Sequence, residues 1–205
     1  MITIIDYGMG NLRSVEKAFG IFSSDIKVSS SIKDIRASSK LVFPGVGAFG
    51  KAMEELKRRG LVRPILDFIE KRKPFLGICL GFQLLFSGSE EAGIVKGLGI
   101  LKGRVKRFKR SRGLKVPHMG WNRIDFNLSS KGLKILKGVP DGAYMYFVHS
   151  YYAEPKEDDI ILCETDYGGR FASGICKENV FAFQFHPEKS QEEGLKIIKN
   201  FVELC

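Results

Sequence analysis

Residues 75–83 read Phe75-Leu76-Gly77-Ile78-Cys79-Leu80-Gly81-Phe82-Gln83. The first four form an apolar run of buried-strand length, and the chain is expected to turn helical from Gly81 to Phe86. Between the two lies Gly-x-Cys-x-Gly, the spacing of an elbow that presents a nucleophile on a tight strand-to-helix turn, here with cysteine in the serine position. A side chain beside such a turn would crowd the backbone, and Gly77 and Gly81 remove that crowding. The elbow would set the thiol at a helix N-terminus, where partial positive charge favours the thiolate.

Working outward from the elbow, Ile2 to Asp6 predicts a strand, followed by a Gly-rich turn (Gly8, Gly10) and a helix around Leu12 to Phe19. Lys40 to Phe43 predicts another strand, stopped by Pro44-Gly45. A helix is expected from about Lys51 to Lys71, with Pro64 dividing it. Strands alternating with helices argue for a parallel sheet covered on both faces. The second half differs: short strand-like runs at Gly103–Phe108, Trp121–Phe126, Met145–Tyr152, Ile160–Thr165, Gly174–Lys177 and Val180–Phe185 predict added strands, partly antiparallel. A final helix is expected from Gln191 to Leu204, with capping-box spacing at Ser190 and Glu193 and an apolar face of Leu195, Ile198, Phe201 and Val202. The expectation is one α/β domain over residues 1–205, a three-layer sandwich with a mainly parallel central sheet and added antiparallel strands.

A thiol nucleophile needs a base, and the base an orienting group. The chain has 3 histidines. His186-Pro187-Glu188 follows the strand-like run ending at Phe185, and residues two apart in extended chain point the same way. Glu188 would then fix the His186 tautomer and stabilise its imidazolium. Cys79, His186 and Glu188 are the candidate triad. Acyl transfer also needs donors for the developing oxyanion. The N–H of Leu80 follows the nucleophile directly, and Pro44-Gly45-Val46-Gly47 offers a second, with Val46 the expected donor because Gly45 would let that peptide rotate.

Composition narrows the class. The chain of 205 residues is 44% hydrophobic and 27% charged, ordinary for a globular domain. No apolar run is long enough to span a bilayer, the N-terminus does not resemble a signal peptide, and a cytoplasmic location is expected. Cys79, Cys163, Cys176 and Cys205 form no CxxC pair, so free thiols are expected. The net charge of +10 concentrates between Lys102 and Lys115, where Val105 and Phe108 interrupt basic residues as in an exposed hairpin with one face on the core. A solvated basic surface is the first reading and a docking face for an acidic partner or phosphorylated ligand the second. No nucleic-acid recognition motif accompanies the charge.

Together Pro44-Gly45-Val46-Gly47, the elbow through Phe82-Gln83 and His186-Pro187-Glu188 resemble, in order and spacing, the class I (triad) glutamine amidotransferases, a flavodoxin-like fold family. Asp6-Tyr7-Gly8-Met9-Gly10-Asn11-Leu12, Pro117-His118-Met119-Gly120-Trp121-Asn122 and Tyr146-Phe147-Val148-His149-Ser150-Tyr151-Tyr152 narrow this to the family of glutaminase subunits of imidazole glycerol phosphate synthase. The resemblance implies hydrolysis of L-glutamine to glutamate and ammonia, with the ammonia channelled to a (β/α)₈ cyclase in a heterodimer of histidine biosynthesis. It implies no cofactor and no metal. It places Gly47, Gln83, Glu91, Ser150 and Tyr151 around the glutamine, and Trp121, Asn122, Tyr146 and Lys189 at the subunit interface or ammonia gate. It also implies a glutaminase that is nearly silent until the partner binds its ligand, which rotation of the Gly45–Val46 peptide would explain. Two departures are the strongly basic Lys102–Lys115 segment and Phe82, where methionine is common. Alternatives are a paralogue feeding another synthase, such as one making amidino sugars, a stand-alone cysteine hydrolase of the same superfold, and a non-catalytic subunit.

Overall fold

The computed structural model describes residues 1–109 and 114–205. The first half carries β1 (Ile2–Ile5), α1 (Leu12–Gly20), β2 (Ile26–Ser29), α2 (Ile32–Ala37), β3 (Lys40–Gly45), α3 (Phe49–Arg58), α4 (Val62–Glu70), β4 (Phe75–Cys79) and α5 (Leu80–Gln83). The second carries β5 (Gly103–Arg107), β6 (His118–Arg123), β7 (Asp125–Phe126), β8 (Tyr144–His149), β9 (Tyr151–Pro155), β10 (Ile161–Asp166), β11 (Arg170–Lys177), β12 (Val180–Phe183) and α6 (Gln191–Leu204). A 10-stranded sheet runs β2-β1-β3-β4-β12-β11-β10-β7, with β9 paired to β11 and β5 to β9. From β2 to β12 the pairs are parallel, and beyond β12 they are antiparallel. β6 and β8 form a separate antiparallel pair. No described helix is long and apolar enough to cross a membrane.

Period-two alternation explains the layers. Ile4, Val42, Leu76, Ile78, Phe181 and Phe183 enter one apolar cluster together with α1 and α6, where Phe19 meets Phe201 edge to face. Ile5, Leu41, Phe43, Phe75, Val180 and Ala182 enter the other, under α2, α3, α4 and α5. Both strand faces are buried, so these strands read as continuous apolar runs rather than as alternating ones. The three-layer α/β expectation holds.

The boundaries moved in several places. β2 and α2 were not anticipated: β2 is an edge strand whose residues are only partly buried or exposed, and α2 spans 6 residues. The break between α3 and α4 falls at Gly60, with φ of 66°, and not at Pro64. Pro64 is the third residue of α4, where an N–H would have no partner within the helix anyway. β3 continues through Pro44 to Gly45; β1 stops pairing with it at Val42, so Pro44 owes no ladder bond on that side. The helical turn after the elbow is the short α5, Leu80–Gln83. Trp121–Phe126 divides between β6 and β7, and Met145–Tyr152 divides at Ser150, where the chain leaves the small sheet for the large one. The Ser190–Glu193 capping box does not form: Ser190 Oγ donates to the His186 carbonyl at 2.7 Å and accepts from the Tyr146 N–H at 3.0 Å. β5 is not part of a sequence-local hairpin, since its partner is β9. Val105 and Phe108 are buried as expected, and Lys102 and Lys106 pair with Glu157 and Glu154. Arg110 and Arg112 lie outside the described residues.

Candidate active site

Strand register brings the elbow, the Pro44–Gly47 turn and the His186 segment to one edge. Gly45 pairs with Cys79, and Ile78 with Phe183, three residues before His186. The carboxyl ends of parallel strands are where open α/β sheets gather their ligand sites. Cys79 has φ of 55° and ψ of −108°, a left-handed conformation costing on the order of 1–3 kcal/mol that the surrounding packing must hold in place. The glycines permit it by space. A Cβ on Gly81 would lie inside bonding range of the Phe43 carbonyl oxygen, and one on Gly77 would press on Ala182 and on the backbone at Gly81 and Phe82. Gly45 is required for the same reason, because a Cβ there would overlap the Tyr7 hydroxyl.

Cys79 is 6% exposed, and its access is through a cavity of about 420 Å³. Val46 and Leu80, the expected oxyanion donors, line it beside the sulfur. So do Gly47, Gln83, Glu91, Ser150 and Tyr151. Gly47 has φ of 98° and lies against Met9, which closes a side of the turn. Glu91 Oε2 accepts the Phe49 N–H at 2.8 Å, so the carboxylate rests on the N-terminus of α3, where the helix dipole favours its charge. Gln83 Nε2 donates to the Tyr151 carbonyl and to Gln184 Oε1, both at 2.9 Å, and Gln184 Nε2 reaches the Cys79 sulfur at 3.8 Å.

His186 Nδ1 meets Glu188 Oε1 at 2.8 Å, with both side chains almost wholly buried. Glu188 achieves this from a 3₁₀ turn, Pro187–Lys189, and not from the extended chain expected of the sequence. The second ring nitrogen, Nε2, has no hydrogen-bond partner among the described residues. Burial disfavours charge on the ring. The nearby Cys79 sulfur and the hydrogen-bonded Glu188 carboxylate outweigh that penalty and push His186 up to about 10. The arrangement sets beside the sulfur an imidazole that can take up a proton.

Trp121 and Tyr146 are cross-strand partners with ring centroids 6.1 Å apart. Tyr146 lies 6.4 Å from the His186 ring, and Lys189 Nζ sits 5.7 Å from the Tyr146 ring centroid. These three form a wall beside the triad. Asn122 projects from the opposite face of β6, bonding to His118 and to the Asp166 carbonyl. Sequence reasoning missed Pro117, Val148 and His149 in the cavity wall, the link through Gln184, and Tyr7, whose buried hydroxyl has no partner among the described residues and whose pKa is raised by burial and by the nearby Cys79. Nothing local in the sequence marks them, since each depends on a neighbour far along the chain.

The carboxyl ends of the strands thus carry a thiol on a strained elbow, a carboxylate-bound imidazole and a cavity that opens on the thiol. The chain belongs to the class I glutamine amidotransferases. The family model described as "Glutamine amidotransferase class-I" matches residues 3–205. Among individual relatives, the chain is similar to the imidazole glycerol phosphate synthase subunit HisH of Aquifex aeolicus, at 51% identity over 97% of this chain and 94% of that one. It is 51% identical to the subunit of that name from Caldanaerobacter subterraneus subsp. tengcongensis, covering 100% of this chain and 98% of the relative, and 48% identical to that of Syntrophotalea carbinolica, covering 100% of both. A solved glutamine amidotransferase structure superposes with a TM-score of 0.76 at 16% identity, covering 99% of this chain and 98% of that one, which speaks to the fold alone.

Proposed function

We propose that this chain is the glutaminase subunit of an imidazole glycerol phosphate synthase. Cys79 attacks the side-chain carbonyl of L-glutamine, forming the S–C bond while His186 holds the thiol proton. The oxyanion that develops is met by the N–H groups of Leu80 and Val46. The C–N bond then breaks as His186 gives its proton to the leaving nitrogen, releasing ammonia and a glutamyl thioester. Water attacks the thioester, passing a proton through His186 to the departing thiolate, and glutamate leaves. Glu188 orients the ring throughout. Gly47, Gln83, Ser150 and Tyr151 hold the substrate, and the Glu91 carboxylate suits its α-ammonium.

The observation that carries this reading is the placement of Cys79 on a strained elbow in a cavity lined by Gln83 and Glu91, with Glu188 bound to His186 at the same end of the sheet. Ammonia is mostly protonated in neutral water and is then no nucleophile, so the product must reach its acceptor under cover. Met119, Trp121 and Tyr144 are 65%, 46% and 60% exposed on one face of the small sheet, beside His186. An apolar face of this kind favours a docked partner, which we take to be a (β/α)₈ cyclase that uses ammonia in histidine biosynthesis. The test is the reconstituted pair. Cys79→Ala is expected to abolish glutamine-dependent turnover and to leave turnover with added ammonium salt intact. Glutamine-dependent turnover that survives Cys79→Ala would defeat the proposal.

A further inference from the structure

Two buried histidines take no part in the triad. His118 Nδ1 lies 3.0 Å from His149 Nε2, across the register pair that joins β6 to β8. His149 Nδ1 lies 2.7 Å from the Tyr151 carbonyl oxygen, and His118 Nε2 lies 3.2 Å from Asn122 Nδ2. The ends of this chain determine its polarity. A carbonyl can only accept, so His149 carries its proton on Nδ1 and presents Nε2 as an acceptor; His118 must then also carry its proton on Nδ1. At the far end His118 Nε2 is left as an acceptor, which requires a donor from Asn122. That donor is independently assured: Asn122 Nδ2 also donates to the Asp166 carbonyl, and Asn122 Oδ1 accepts the Arg123 N–H. Both ends therefore impose the same direction.

We propose that Asn122, His118 and His149 form a one-way hydrogen-bond chain of positioning residues that fixes the Tyr151 carbonyl, and through it Gln83, in the glutamine cavity. The Tyr151 oxygen has two lone pairs, one filled by His149 and the other by Gln83. It cannot shift without weakening both bonds, and Gln83 continues through Gln184 to the Cys79 sulfur. The chain is rigidly housed. His118 is stacked between Phe147 and Tyr167, with centroids 4.8 and 3.9 Å away, and His149 packs against Phe108 and Phe171. Burial holds both rings neutral, pushing His118 down to about 4 and His149 down to about 3, as the bonding pattern requires. The chain starts at Asn122, on the face of β6 opposite Trp121, where its amide is also tied to the Asp166 carbonyl.

Imidazole ¹⁵N NMR on the chain alone tests the polarity without reference to any activity. His118 and His149 should both appear at pH 7 as neutral Nδ1–H tautomers, and an Nε2–H tautomer or a protonated ring at either position would overturn the proposal. The kinetic test rests on the glutaminase reading and uses the complex with the synthase partner. His149→Phe should raise KM for glutamine about tenfold while kcat changes less than about threefold, because it frees the binding wall and leaves the triad in place. His149→Asn, whose amide can still donate to the Tyr151 carbonyl, should recover most of that loss. Adding Asn122→Ala to His149→Phe should raise KM for glutamine no further, since the chain is already cut. An unchanged KM in His149→Phe overturns the proposal; if that variant does not fold, His118→Phe carries the same test. Wild-type protein inert toward glutamine would refute the glutaminase reading instead, and the tautomers would still decide the chain.

Discussion

The parallel and antiparallel parts of this molecule use histidine in opposite ways. Beyond the parallel strand β12, His186 is buried against a sulfur and a carboxylate and is pushed up to about 10. Across the antiparallel pair β6–β8, His118 and His149 are buried against aromatic rings, an amide and a carbonyl, and are pushed down. Burial disfavours charge in every case, and the partner decides the outcome. The parallel part delivers reactive groups from strand ends, and the antiparallel part builds a neutral, hydrogen-bonded wall. Reactivity needs an unbalanced charge, whereas positioning needs every lone pair satisfied.

The sharpest way to break this division is Glu188→Gln. It keeps the shape of the 3₁₀ turn but removes the charge that helps hold the proton on His186. We expect kcat/KM for glutamine in the reconstituted complex to fall by about 10²–10⁴-fold. A loss under tenfold would mean that the carboxylate is not the orienting group. Gly81→Ala is next. Its Cβ would collide with the Phe43 backbone, and because a backbone cannot step aside as a side chain can, chemical denaturation should show a loss of about 3 kcal/mol or more. A near-neutral result would mean that the elbow relaxes easily.

Gly45→Ala separates crowding from peptide rotation. A Cβ there meets the Tyr7 hydroxyl, so stability should fall by about 1–3 kcal/mol, and Tyr7→Phe in the same chain should restore part of it. Restored folding with activation by the partner still lost would favour rotation at Gly45–Val46. Recovery of both would reject it. Gly45→Pro alone would not discriminate, because it introduces the same clash.

The pH dependence of stability sharpens the comparison directly. The folded pKa of His186 lies above its ordinary 6.5, so its stabilising contribution is complete below 6.5, declines as pH rises and is gone above about 10. For His118 and His149 the folded values lie below 6.5, so their contribution is complete above 6.5 and is lost as pH falls toward about 4 and about 3. Melting temperatures of wild type should therefore fall on both sides of neutrality. His186→Asn should flatten the alkaline side alone, and His149→Asn should make the acid side shallower, leaving the share due to His118. Equal slopes in all three proteins would contradict the assignment. The smallest effect is expected from Lys106→Ala, which removes an exposed pair with Glu154 and should leave the melting temperature at the wild-type value. A clear drop would show that the basic segment contributes more than a solvated surface.

Local chemistry accounts for what the sequence made legible and what it did not. The elbow could be recognised because its requirements are local: a short apolar strand, glycines on either side of the nucleophile, and a helix start. His186 and Glu188 are two residues apart, close enough to pair through a 3₁₀ turn as well as through the extended chain the sequence suggests. β2 and α2 escaped because a half-buried edge strand and a 6-residue helix lack a strong periodic signal. Sequence alone points to Pro64 as the helix break because proline is the stronger breaker, yet in a first turn it breaks nothing, and Gly60 supplies the left-handed residue. Ser190 looked like a cap, but the Tyr146 N–H and the His186 carbonyl competed for its hydroxyl and won.

The sequence by itself determined the layered α/β plan and the candidate nucleophile and base, because strand periodicity, glycine steric freedom and neighbouring polar groups act within a few residues. Only the tertiary structure decided the cavity wall, the orphan hydroxyl of Tyr7, and the His118–His149 bond across a separation of 31 residues. Those depend on strand register and burial. A hydrogen bond fixes a tautomer only after folding has chosen its partner and excluded the water that would have served equally well.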